Sequence, residues 1–169
     1  MSKSAAAKKL CAQGGLTILE LLITLFLVTL AGGIIAATVD LSTRQLNDRT
    51  QDADAQLLCS ALSLFVQNEL IYAEDIASDA GTVKFTDHVY ALGSGCSFDV
   101  NTDGRLVLNY SGNSYEAVGA GSYKGRKALK VTGLTIAPSG DTVQVTIVVS
   151  DKKGTELATS SFTVKPIAP

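Results

Sequence analysis

Charge is almost missing from one stretch of this chain: between Leu10 and Val39 the only acidic or basic side chain is Glu20. Proline is missing from a longer one, since all three prolines lie at Pro138 or beyond. Histidine is nearly absent, with His88 alone, and that scarcity removes most of the material for acid–base or metal chemistry. No G-x-S-x-G elbow, metal-spaced cluster or G-x-x-x-x-G-K phosphate loop is present. An enzyme is therefore not expected, no cofactor is implied, and His88 reads as a strand residue.

What is present falls into two regimes. Leu21–Val39 is uncharged and about as long as the ~20 residues a helix needs to cross hydrocarbon. From Asp40 onward the chain has the mixed charge, glycine and turn residues of a soluble domain. Lys3, Lys8 and Lys9 precede the apolar run, so the positive-inside bias leaves the N-terminus in the cytoplasm and exports the rest. An ordinary secretory signal does not fit, because the best small-residue run, Ala31–Gly33, lies inside the apolar core instead of after it. A lipoprotein does not fit either, since Cys11 has no apolar stretch ahead of it.

Immediately before the apolar run stands Gly14-Gly15-Leu16-Thr17-Ile18-Leu19-Glu20. This segment resembles the cleavage and methylation motif of type IV prepilins and type II secretion pseudopilins. The likeness covers a short lysine-containing leader, a Gly before the cut, an apolar residue and Thr after it, and a Glu at the fifth mature position. The resemblance implies a leader of residues 1–15, cut by a prepilin peptidase between Gly15 and Leu16, with Leu16 then N-methylated. It assigns Thr17 and Glu20 to assembly, Glu20 pairing with the terminal amine of a neighbouring subunit inside an apolar filament core. Leu16 stands where phenylalanine is more usual. A carboxylate within a membrane helix costs roughly 2.5–3.5 kcal/mol at the centre, which is why it calls for a partner. Snorkelling to headgroups would also accommodate Glu20, and a plain uncleaved signal anchor would accommodate the whole segment.

Helical spacing continues past the apolar run through Leu46, Ala53, Leu57, Leu58, Ala61, Leu62, Phe65, Val66 and Leu70. One helix from about Leu16 to about Tyr72 follows, with 16–39 as its transmembrane and assembly half and 40–72 as an amphipathic half packing its stripe on the globular part. Gly32-Gly33 marks either a place to bend or a close helix contact. Residues 73–169 read as an extracytoplasmic β-rich domain with strands at Thr82–Phe85, His88–Leu92, Ser97–Val100, Arg105–Tyr110, Tyr115–Val118, Leu129–Ile136, Thr142–Ser150 and Thr155–Val164. Turn clusters NTDG, SGNS, PSGD and DKKG separate several of them. The expected fold is α+β, a long helix laid on an antiparallel sheet, which matches the pilin-like fold.

Three side-chain groups remain. Cys59 and Cys96 could bridge outside the cytoplasm, closing about 38 residues for about 4 kcal/mol, or stay as two buried thiols. Asp99, Asn101 and Asp103 fit the first half of a calcium loop, but Tyr110 stands where its closing Glu belongs, and a hairpin turn explains the same residues. Lys124, Arg126, Lys127 and Lys130 form a basic cluster, read as a solvated loop in preference to a nucleic-acid site. The expected partners are prepilin peptidase, other pilin or pseudopilin subunits, the inner-membrane assembly platform and the membrane. The function implied is a structural subunit, a minor pilin or pseudopilin, of a pilus or of a secretion or DNA-uptake filament. The alternative is an uncleaved membrane-anchored binding module.

Overall fold

The computed structural model describes residues 17–79, 82–87, 92–125 and 128–167. A single helix, α1, runs from Ile18 to Ile71 without a break. Eight strands follow: β1 (Ala73–Asp79), β2 (Thr82–Asp87), β3 (Gly93–Val100), β4 (Leu106–Tyr110), β5 (Asn113–Glu116), β6 (Leu129–Ser139), β7 (Thr142–Asp151) and β8 (Glu156–Val164). A short 3-10 turn at Ala120–Tyr123 lies between β5 and β6. The fold is α+β, as the residue patterns imply. The chain divides into two compact units, Met1–Leu46 and Asn47–Pro169.

In the first unit every described residue is exposed. No proline interrupts the helix there, and Thr17 stands at its start. Gly32 and Gly33 sit within the unbroken helix, with nothing within 4 Å of where a Cβ would be.

The second unit holds the core. Helix residues Gln51, Ala55, Leu58, Cys59, Leu62, Val66 and Leu70 are buried, a face generated by steps of three and four. The expected stripe is corrected by this: Leu46, Ala53, Leu57 and Ala61 are exposed, and Phe65 is half-buried. Apolar residues occur on two sides of the helix, and the globular part covers one. Each fully buried Leu or Val there contributes on the order of 1.5–3 kcal/mol relative to exposure.

Two antiparallel sheets share this core where one was expected. The first is a five-stranded meander in the order β1-β2-β3-β4-β5, and the second is β6-β7-β8. Phe98 of β3 stacks on Phe85 of β2 with ring centroids 5.3 Å apart and meets Phe65 of α1 edge to face at 6.2 Å. In the second sheet Val143, Val145, Ile147 and Val149 of β7 are all buried, so the strict alternation of TVQVTIVVS does select one face. Tyr123 is buried and its hydroxyl accepts from Leu106 N–H at 3.0 Å, so the 3-10 turn is tied to β4.

Strand β1 was not anticipated. Its sequence AEDIASD is acidic and poor in β-branched residues, and its register shifts between Glu74 and Ala77, where Asp75 has φ of +51°. Pairing with β2, not local preference, makes it a strand. The strand expected at His88–Leu92 falls largely on residues outside those described, and β3 begins at Gly93, four residues before the expected Ser97.

The two Asx-Gly loops are built alike. Between β3 and β4, Asn101 N–H donates to Arg105 C=O and Gly104 N–H to Asn101 C=O, both at 2.9 Å. Between β7 and β8, Asp151 N–H donates to Thr155 C=O at 2.9 Å and Gly154 N–H to Asp151 C=O at 3.0 Å. Gly104 and Gly154 have φ of +75° and +87°, the left-handed conformation that closes a three-residue hairpin loop. A Cβ on Gly104 would also come within 2.8 Å of the Lys130 side chain.

Candidate functional site at the start of the helix

Of the residues singled out at the N-terminus, Gly15 and Leu16 lie outside the described residues, as does Cys11. Thr17 and Glu20 are described. Thr17 Oγ1 accepts from Glu20 N–H at 3.2 Å, and Leu21 N–H donates to Thr17 C=O at 3.1 Å. Thr17 is thus the N-cap of α1, and the T-x-x-E spacing that looked like part of an assembly motif is also a helix-start signature. That signal was available in the sequence and was missed. Glu20 lies in the first turn, where a negative charge complements the helix dipole.

The helix that follows is long and apolar enough to cross a membrane, and its apolar window has no buried residue. Ile18, Leu19, Leu21, Leu22, Phe26, Ile34 and Ile35 are among many large apolar side chains left more than half exposed. Water does not tolerate such a surface on a monomer, so lipid or protein must cover it. Hydroxyls within the run are satisfied locally: Thr24, Thr29 and Thr38 donate to the carbonyls of Leu21, Phe26 and Ile34 at 2.8–2.9 Å.

The other candidate groups are not brought together. Cys59 and Cys96 are free and buried, and the bridge between them is not formed. The Cys59 thiol donates to Ile147 C=O at 3.8 Å in the second sheet, while the Cys96 thiol donates to Gly93 C=O at 3.4 Å in the first. Burial raises both thiols above the usual range, and the Asp87 carboxylate raises Cys96 further.

Asp99, Asn101 and Asp103 make a turn. The Asn101 side-chain oxygen accepts from Asp103 N–H at 3.0 Å and Arg105 N–H at 2.9 Å, and Asp99 Oδ1 accepts from Val100 N–H at 2.7 Å. Asp151 does the same work in the other loop, accepting from Lys153 N–H and Thr155 N–H at 2.8 and 2.9 Å. The Thr155 contact above all holds its carboxyl below the ordinary value. Among the described residues no group of three or more His, Cys, Asp or Glu is arranged to hold a metal ion.

Of the basic cluster, Lys124 and Lys130 line one surface cavity of about 330 Å³ with Arg105, whose guanidinium pairs with Glu116. Arg126 and Lys127 are outside the described residues, as is His88. Another cavity, of about 570 Å³, lies between Glu74, Asp75, the β6–β7 turn at Gly140-Asp141 and Lys165. No family model, curated protein or solved structure matches this chain.

Proposed function

We propose that this chain is a subunit of a type IV pilin-like filament, stored in the cytoplasmic membrane and assembled through α1 after loss of residues 1–15. The observation that carries the reading is a single helix, Ile18–Ile71, whose first part is exposed and almost entirely apolar and whose later part buries one face in an α+β core. Such a helix suits a subunit that rests in lipid and later exchanges lipid for neighbouring helices. The motif ending in Glu20 adds the processing site that this life cycle requires.

In this reading the peptidase acts on the cytoplasmic side at Gly15-Leu16, where a residue without Cβ lets the backbone enter a narrow site extended. Thr17 then starts the helix one residue after the new terminus, and Glu20 in its first turn is the carboxylate that pairs with the Leu16 amine of a neighbouring subunit. The test is coexpression with a prepilin peptidase, followed by intact-mass measurement and N-terminal sequencing. The expected product starts at Leu16 and is N-methylated, and Gly15→Arg stays uncut. A chain still beginning at Met1 in a peptidase-positive host favours the uncleaved membrane anchor instead.

A further inference from the structure

Between Glu116 and Asp141 the chain has no acidic residue and four basic ones, in a protein whose formal net charge is −2. Two of the four, Lys124 and Lys130, converge with Arg105 on the surface cavity of about 330 Å³, where the β3–β4 loop, the 3-10 turn and the start of β6 meet. Thr102, Asp103 and Tyr123 complete its polar lining. Neither lysine has an acidic partner among the described residues.

The walls of this cavity are held in place. Lys130 lays its stem over Gly104, where an added Cβ would come within 2.8–3.1 Å of the lysine Cβ, Cγ and Cδ, and Val131 N–H donates to Gly104 C=O at 2.8 Å. Glu116 holds the Arg105 guanidinium. Tyr123 is only 4% exposed, and its hydroxyl accepts from Leu106 N–H at 3.0 Å. The hydrogen of that hydroxyl has no acceptor among the described residues. A buried hydroxyl with a donor to spare, lining the same cavity as two cations without counter-charge, suits an oxyanion.

The lining also says what kind of oxyanion fits. Two lysines free of acidic partners match the charge of about −1.5 to −2 that a phosphate monoester carries near pH 7, and exceed what one carboxylate needs. Asp103 repels a second anionic group but accepts from hydroxyls, as Thr102 can, which favours a hydroxylated body on the phosphate. A volume of about 330 Å³ is at the lower end of small-ligand sites and takes one such unit in preference to a length of polymer. We propose that this cavity binds a phosphate monoester of a sugar or small polyol, with Lys124, Lys130 and the Tyr123 hydroxyl on the phosphate and Asp103 and Thr102 on the polyol. Arg105, paired with Glu116, borders the phosphate and is not its main ligand. The site lies wholly within residues 102–130, so it is independent of the N-terminal motif and holds whether or not the leader is cut.

The test uses the full chain in phosphatidylcholine nanodiscs, with glucose 6-phosphate, inorganic phosphate and glucose as probes. Binding is read by calorimetry, and its place by hydrogen exchange. Glucose 6-phosphate is expected to bind with a Kd of ~1 mM or tighter, inorganic phosphate more weakly and glucose not at all. Exchange should slow at residues 102–105 and 120–124 but not in the matching loop at 151–155. Lys124→Gln and Lys130→Gln should each weaken binding tenfold or more, Lys130→Arg should retain most of it, and Lys152→Gln should leave it unchanged. Circular dichroism of each variant reports that the fold is intact. Nanodiscs carrying phosphatidylinositol 4-phosphate distinguish the source of the ester. Protection of the same residues by that lipid, competed by glucose 6-phosphate, makes it a lipid headgroup, and protection by the free ester alone makes it a soluble sugar phosphate. Failure of every ester to bind overturns the proposal, as does equal binding of glucose or binding that both lysine-to-glutamine variants leave unchanged. A DNA oligonucleotide that protects residues 151–155 together with 120–124 would make this a nucleic-acid face and overturn it too.

Discussion

Ile167 N–H donates to the carbonyl of Ile71 at 2.8 Å, so the end of the chain satisfies the last residue of the helix. Helix C-termini leave carbonyls without intrahelical donors, and here no glycine cap follows: Tyr72 turns directly into β1. Ending the chain at Lys165 removes that donor, and the expected loss is about 0.5–1.5 kcal/mol for the bond. Thermal unfolding of the truncated chain in detergent, followed by circular dichroism, checks it. An unchanged midpoint would mean that water replaces Ile167 without cost.

Two leucines five residues apart on α1 separate the buried face from the open one. Leu62 is fully buried and Leu57 is 71% exposed. Leu62→Ala should cost about 2–5 kcal/mol through lost burial and a cavity, whereas Leu57→Ala should stay within about 0.5 kcal/mol of the parent. Comparing their denaturant midpoints at fixed detergent tests the assignment of faces.

Glu69 makes stability depend on pH. Burial pushes its carboxyl above the ordinary 4.5, and the Asp87 carboxylate facing it pushes further; the Cys96 thiol shares this neighbourhood. Because the folded pKa is the higher one, the folded chain binds this proton more tightly than the unfolded chain. The resulting stability is complete below pH 4.5 and is lost as pH rises through the folded value. Glu69→Gln should therefore raise the unfolding midpoint at pH 8, with the gain shrinking as pH falls toward the ordinary carboxylate range. A gain that is the same at every pH would assign the effect to packing instead of charge.

On the proposed pilin-like reading, Glu20 is the residue whose replacement separates processing from assembly. Glu20→Val removes a carboxylate that is costly in hydrocarbon, so the subunit should still insert and lose its leader. In a filament the neighbouring Leu16 amine would then be buried without its counter-charge, and breaking one partner of a buried pair costs about 3–5 kcal/mol. The ratio of mutant subunit in sheared filaments to that in membranes should fall sharply, with cleavage normal on the same gel. Equal incorporation would remove the pairing role from Glu20 while leaving the processing site standing.

The helix was legible because its determinants are local. Absence of proline and recurring apolar spacing act within a few residues of one another, and the expected bounds of about 16–72 meet the observed Ile18–Ile71. Most strands were legible for the same reason, with NTDG, SGNS, PSGD and DKKG closing the hairpins they announced. The Asn101 and Asp151 turns needed only an Asx oxygen and a left-handed glycine, both readable from the sequence.

Other features needed the assembled core. Leu57 and Leu58 are neighbours of one residue type, and only the placement of the sheets makes one exposed and the other buried. Cys59 and Cys96 lie in one buried cluster as free thiols, Cys59 bonded to the β7 carbonyl of Ile147 and Cys96 to the carbonyl of Gly93 in its own strand, which no spacing reveals. Strand β1 exists because β2 offers it backbone partners, against the preference of its own acidic residues. Periodicity, charge and turn chemistry thus determined by themselves that there would be a long helix with an apolar half and an antiparallel β domain, since each acts over a few residues. Which face of the helix is covered and how the strands divide into two sheets were decided only by tertiary packing, because long-range contacts compete for the same surfaces and only the folded chain selects among them.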